Sequence, residues 1–327
     1  MLTKKLSMAA LIGVFLASSG LFAADIMNTH FDGDALNTRL GRYITNVSNL
    51  IPDSTSLQNV WSLAPETNGP WFGAGFNASF TFYAQKDVSR LTKDANSFTS
   101  SRNLADFPEA IPYLPGIALD FRAGISRLDV GFCFMWIDDD AFSEGMGTFL
   151  GEGNHFSYRM LGVDLRYVLV KDGQALFGIG RGLWPAVTLQ GGYYFTWLGF
   201  GISAGDKERV NAQFRNDTLF FSLQLSKKLP IITPYLGMKL IFSKTDSEFD
   251  WETHRPVVAK GKLYPGGAHY YSGIDEGEFY TYFQFSGGLG ISIIFPHVIT
   301  IGGVYNVVTN HFGINLSVRA IFGSGVY

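Results

Sequence analysis

Two sets of residues in this sequence have types and spacing suited to chemistry. The first is Asp138-Asp139-Asp140 together with Glu252-Thr253-His254. A pair of carboxylates facing a histidine–acid pair can activate a water for peptide hydrolysis. In that scheme Asp138 and Asp140 are the paired acids, His254 is the base and Glu252 is its acidic partner. Acidic triplets in loops are more often solvated or hold a cation loosely, and a single loop histidine is more often merely exposed. This set therefore stands as an alternative. The second set is Asp120, Arg122, Asp129, Asp164, Arg166, Lys239 and Arg319, joined by Asn77, Ser79, Thr81, Gln190, Gln224, Gln284 and Asn315. These polar residues sit at alternate positions of otherwise apolar segments, which is a pattern that lines an interior.

Other chemistries lack support. His254, His269, His297 and His311 are scattered without ligand spacing, so no metal is expected. Gly178-Ile179-Gly180-Arg181-Gly182 lacks the spacing and the strand-to-helix setting of a phosphate loop. The single Cys133 rules out an internal disulfide framework and reads as a small packed residue. No cofactor is expected. A net charge of −3 gives no footprint for nucleic acid.

The elements that position these residues are strands. Residues 312–322 carry apolar side chains on every even position, with glycine, polar or charged residues on four of the five odd ones. The same two-residue period runs through 71–83, 116–125, 128–137, 157–170, 186–198, 217–226, 233–243, 279–295 and 298–306. Ser126-Arg127 alone joins the second and third of these strands. A two-residue hairpin there pairs Ile125 with Leu128, so both apolar faces fall on one side of the sheet. Connections alternate between short (126–127, 227–232, 296–297) and long (84–115, 138–156, 199–216, 244–278). The 171–185 link is long for its side and 307–310 is brief for its side; if either is misassigned the count becomes eight or twelve.

Ten long amphipathic strands give an all-β fold: an antiparallel, up-and-down transmembrane barrel over residues 71–327, apolar outside and polar within. Composition agrees, with 46% hydrophobic, 15% aromatic and only 16% charged residues, where a soluble domain carries about a quarter charged. A soluble sandwich would need a second sheet over each apolar face, and its strands are usually about 5–6 residues. Trp71, Tyr83, Trp136, Tyr167, Trp184 and Trp197 fall near strand ends, where an interfacial aromatic belt would sit.

Ahead of the barrel, residues 1–23 read as a secretory signal: Lys4 and Lys5, an apolar run from Met8 to Leu16, then small residues before Ala23 and Ala24. Residues 24–70 hold a helical stripe of Leu36, Leu40, Tyr43, Val47 and Leu50, with Asp34 as its cap and Pro52 as its stop. This segment is either a periplasmic helix or a plug seated in the lumen.

On the signal segment, the ten strands, the alternating links and the aromatic C-terminal end (Phe322, Tyr327), the chain resembles bacterial outer-membrane β-barrels with porin-like architecture. The resemblance implies the outer membrane of a Gram-negative or other diderm bacterium, with membrane lipid and the barrel-assembly machinery as partners. The placement of Asp138, Asp140 and His254 resembles that of the omptin outer-membrane proteases, from which Glu252 departs where an Asp is expected. The expected function is a narrow channel for passive diffusion of small hydrophilic or ligand-like solutes, with the solute held in the lumen as a partner. Its lumen would be lined by Asp120, Arg122, Asp129, Asp164, Arg166, Gln190, Gln224, Lys239, Gln284, Asn315 and Arg319. The alternatives are the omptin-like protease and a non-conducting adhesin or structural barrel.

Overall fold

Segments with a two-residue period become strands because only extended backbone puts residues i, i+2 and i+4 on one face. A computed structural model of the chain describes residues 31–52, 69–84, 86–87, 89, 113–137, 155–174, 182, 184–203, 208–253, 257–259, 262–264, 269–294 and 296–323. A two-residue strand β1 (Phe31–Asp32) leads into helix α1 (Gly33–Ser48). Strands β2 (Pro70–Phe82), β3 (Tyr113–Ile125), β4 (Leu128–Ile137), β5 (His155–Val170), β6 (Ala186–Ser203), β7 (Glu208–Ser226) and β8 (Ile232–Thr253) follow. Short strands β9 (Val257–Ala259), β10 (Lys262–Tyr264) and β11 (His269–Asp275) precede β12 (Phe279–Ile294), β13 (His297–Asn306) and β14 (Phe312–Gly323).

Ten of these strands, β2 to β8 and β12 to β14, pair antiparallel with their chain neighbours. The β14–β2 ladder, Phe312 opposite Phe82 through Gly323 opposite Trp71, closes the ring. Followed round the ladders from Phe76, the register returns to β2 roughly twelve residues further on, a stagger that goes with strands tilted by about 40°. The two-residue turn after β3 is made by Ser126, which takes a left-handed φ of 58°, and Ile125 pairs with Leu128 as the sequence predicts.

The outside of this barrel is a band of exposed apolar side chains, among them Phe76, Phe121, Val130, Val163, Leu189, Phe221, Met238, Ile301 and Leu316. Water would make such a surface very costly; hydrocarbon makes it neutral, which identifies a membrane-spanning exterior. On β7 and β8 the band ends sharply. Outward positions run Leu225, Leu223, Phe221, Leu219 and then Asp217, Arg215, Gln213; on β8 they run Leu236, Met238, Leu240, Phe242 and then Lys244, Asp246, Glu248, Asp250. The upper parts of β7 and β8 therefore stand beyond the membrane surface. No described helix is long and apolar enough to cross a membrane.

Four expectations need correction. The 199–216 and 244–278 links are largely strand, because β6, β7 and β8 continue above the membrane and β11 extends the sheet. Glu252 is accordingly a β8 residue opposite Arg209 and Tyr270, not part of an irregular loop. Trp71 is not in an aromatic belt: it points inward and is buried with Val298 and Ile321 at the end carrying the short turns. Trp136, Tyr167, Trp184 and Trp197 are exposed, as a belt requires. Asp34 falls one residue inside α1, which starts at Gly33.

Candidate functional site

Inward side chains fill the barrel in layers. On the wall made by β14, β3, β4 and β5, in the half nearer the short turns, Arg122 binds both Asp129 and Asp164. Arg166 reaches Asp129 from the next strand through Nε at 3.0 Å. Arg319 makes a two-pronged contact with Asp120, Nε to Oδ1 at 3.1 Å and a terminal nitrogen to Oδ2 at 3.2 Å. Gln190 Nε2 donates to Asp164 at 2.9 Å. Three arginines thus face three aspartates, each with no more than 2% of its side chain exposed. Buried charges are tolerable only when paired and hydrogen-bonded in this way. Gly131 makes the arrangement possible, since a Cβ there would collide with the Arg122 guanidinium and the Asp164 carboxylate.

Every lumen residue expected from the sequence lies on the inner wall. Gln284 and Asn315 are buried there, and Asn315 donates to Asn77 at 2.6 Å. Gln190, Gln224 and Lys239 keep partial exposure on the β6–β8 side, and the Lys239 ammonium lies 4.9 Å from the Phe220 ring centre. Cys133 is buried among apolar neighbours, the place of a packed residue. Of the hydrolytic set, Asp138, Asp140 and His254 lie outside the described residues, as does the signal segment. Glu252 is described: the Tyr270 hydroxyl donates to its carboxylate, which pushes the phenol pKa up. Among the described residues no group of three or more His, Cys, Asp or Glu side chains could hold a metal ion.

Above the ion pairs lies an apolar layer that the polar-residue reading passed over. Cys133, Met135, Tyr158, Met160, Tyr194, Phe214, Phe220, Ile241 and Tyr282 occupy inward positions and form one buried cluster with Leu40, Ile44 and Ile51 of the N-terminal segment. Tyr43 and Val47 pack against the same cluster. Helix α1 is seated at the end carrying the long links, with Gly41 against the Phe249 ring and Thr45 donating to Asp275 at 2.6 Å. The Tyr83 hydroxyl, just beyond β2, donates to the Leu50 carbonyl at 3.3 Å. The signal for this layer was in the sequence: Met135, Met160, Tyr194, Phe220 and Ile241 are large apolar residues on the face assigned to water.

No protein-family model matches the chain, and no curated protein matches it. Among solved structures, similarity is found to the outer membrane protease OmpT from Escherichia coli, with 10% identity, 80% of this chain and 99% of that chain covered, and a TM-score of 0.38. The translocator domain of the autotransporter NalP from Neisseria meningitidis gives 7%, 87%, 94% and 0.38 in the same order. The toluene transporter TbuX from Ralstonia pickettii gives 9%, 80%, 90% and 0.22. These similarities are too distant to carry the assignment, which rests on the closed ladder and the apolar exterior. A single-chain antiparallel barrel with ten strands, short turns at one end and a lipid-facing outer band is an outer-membrane β-barrel in architecture and belongs in that membrane.

Proposed function

We propose that the protein is a non-conducting outer-membrane barrel that acts from the rim standing above the membrane. The observation that carries this reading is the buried apolar layer, in which inward side chains of β3 to β8 and β12 meet the N-terminal helix. A conducting bore needs a continuous chain of water, and side chains such as Tyr194, Ile241 and Met160, none more than 2% exposed, leave no room for one beside them. The paired ions below serve to neutralise charges held within the barrel and act as struts between strands rather than as a selectivity ring. The segment over residues 1–23 directs export, and the barrel-assembly machinery inserts the mature chain.

A second reading is favoured by the partial exposure of Gln190, Gln224 and Lys239: a narrow channel for small hydrophilic solutes that opens when α1 leaves the lumen. The test is single-channel recording in planar bilayers with the mature chain and with a chain lacking residues 24–66. Silence from both agrees with a sealed barrel. Current steps from the mature chain would sink the proposal, and steps only after truncation would make the helix a gate.

A further inference from the structure

Strands β11 and β12 lie end to end along one edge of β8, with Asp275 opposite Ser247 and Phe279 opposite Lys244. The break between them is pinned by the Gly277 N–H, which donates to Asp246 at 3.1 Å. From Gln284 inward β12 is covered by β13, whose hairpin to β14 turns back at residues 307–310. β11 rises above that turn. It pairs with β8 on one side, and on its other side no described strand pairs with it.

A strand edge that no described strand covers offers a row of backbone donors and acceptors to an extended chain. This one also carries Tyr270 at 72% and Ile274 at 75% exposure on its outward face. Beside them on the same face stand Glu248, Asp250 and Glu252 of β8, opposite Ile274, Ser272 and Tyr270 respectively. Glu276 and Glu278 follow at the break and are exposed. A second copy of this chain pairing edge to edge would bring two acidic faces together, a net like-charge repulsion that opposes self-association. An extended segment with lysine or arginine at its outward positions would instead lie on the same face as Glu248, Asp250 and Glu252, about two strand spacings or roughly 10 Å away, which is about one Debye length at 0.1 M salt.

We infer that β11 is a strand-addition site for a basic, extended segment of a partner protein or peptide, bound outside the cell by the rim. The inference rests on the rim-acting reading proposed above and names the chemistry of the partner.

The probes are fluorescent ten-residue peptides with valine and lysine alternating, their glutamate counterparts, and the lysine peptide N-methylated at every second amide, titrated onto the mature protein in lipid nanodiscs. The lysine peptide is expected to bind, with affinity falling as salt rises. The glutamate peptide and the N-methylated peptide are each expected to bind at least about tenfold more weakly, the latter because blocked amides cannot complete the ladder. The E248K/D250K variant, changed only at exposed positions, is expected to lose about tenfold for the lysine peptide. Equal binding of the N-methylated peptide would overturn strand addition, equal binding of the glutamate peptide would overturn the basic partner, and no binding of the lysine peptide would overturn both. Bilayer silence with no peptide bound would leave the sealed barrel standing and remove only this site.

Discussion

The Thr45 hydroxyl donates to the Asp275 carboxylate at 2.6 Å, tying the N-terminal helix to a strand 230 residues further along the chain. The same hydroxyl lies 3.0 Å from the Gly41 carbonyl in its own helix, and one proton serves one acceptor at a time. The charged and closer acceptor is the stronger partner. This bond works together with the apolar contacts of Leu40, Ile44, Tyr43 and Val47 to hold α1 in the barrel. Asp275→Ala or Thr45→Val is expected to weaken docking by about 1–2 kcal/mol. Amide hydrogen exchange over residues 41–48 should then speed up by roughly 5–30-fold while β2 and β14 are unaffected. Unchanged exchange in α1 would show that apolar contact alone seats it.

Gly162 on β5 stands directly opposite Tyr194 on β6, and a Cβ at Gly162 would collide with the Tyr194 ring. The ring lies across the glycine and stacks at 5.2 Å on Phe220 of the next strand. Gly162→Val should destabilise the barrel by about 1–3 kcal/mol through overpacking. Adding Tyr194→Ala should recover part of that loss, because the space the ring vacates receives the new side chain. A double-mutant cycle on urea unfolding in detergent measures the coupling. Additive effects would mean that the two residues relax independently.

Residues inside the membrane were legible in the sequence, and those above it were not, for one reason. Where a strand crosses lipid, its outward face is apolar, as with Leu219, Phe221 and Leu223 or Met238, Leu240 and Phe242. Beyond the membrane the outward face becomes polar, as at Gln213, Arg215, Glu248 and Asp250, while Phe214, Phe249 and Trp251 make the inward face apolar. The period of two continues, but its sense inverts. A search for one sense of alternation stops at Asp217 and just past Phe242, and so it starts β7 late and ends β8 early. The ion pairs show a second limit. Asp120, Arg122, Asp129, Asp164, Arg166 and Arg319 were legible as inward charges, yet which arginine meets which aspartate depends on ladder register, which places Asp129 beside Arg166 and Gly131 beside both Arg122 and Asp164. The stripe Leu40, Tyr43 and Val47 was likewise legible as a helix, but its seat in the barrel depends on Phe249, some two hundred residues away.

Arg319 and Asp120 join β14 to β3 across β2, and Gly75 between them leaves room for the arginine stem. Removing one partner strands a buried charge. Arg319→Met alone is expected to lower stability by about 3–5 kcal/mol, whereas Arg319→Met with Asp120→Leu should come within about 1 kcal/mol of the parent or exceed it. Midpoints of urea unfolding in detergent read both. A double variant as unstable as the single one would show that the pair contributes net stabilisation beyond cancelling its own burial.

Tyr43 supplies the pH dependence of helix docking. Packing against the apolar cluster removes water from its phenol and pushes its pKa from 10.0 up to about 12. A group whose pKa is higher when docked holds its proton more tightly there, so docking is fully stable below pH 10 and weakens as pH climbs from 10 towards 12. The slope is that of one proton, about 1.4 kcal/mol per pH unit at most. A spin label on a cysteine at exposed Arg42 reports the change, and Cys133, being buried, does not compete for the label. Label mobility should rise between pH 10 and 12 in the parent and stay flat over that range in Tyr43→Phe, which keeps the ring and has no proton to lose. An equal rise in both would place the alkaline transition in another group and leave the phenol as packing only.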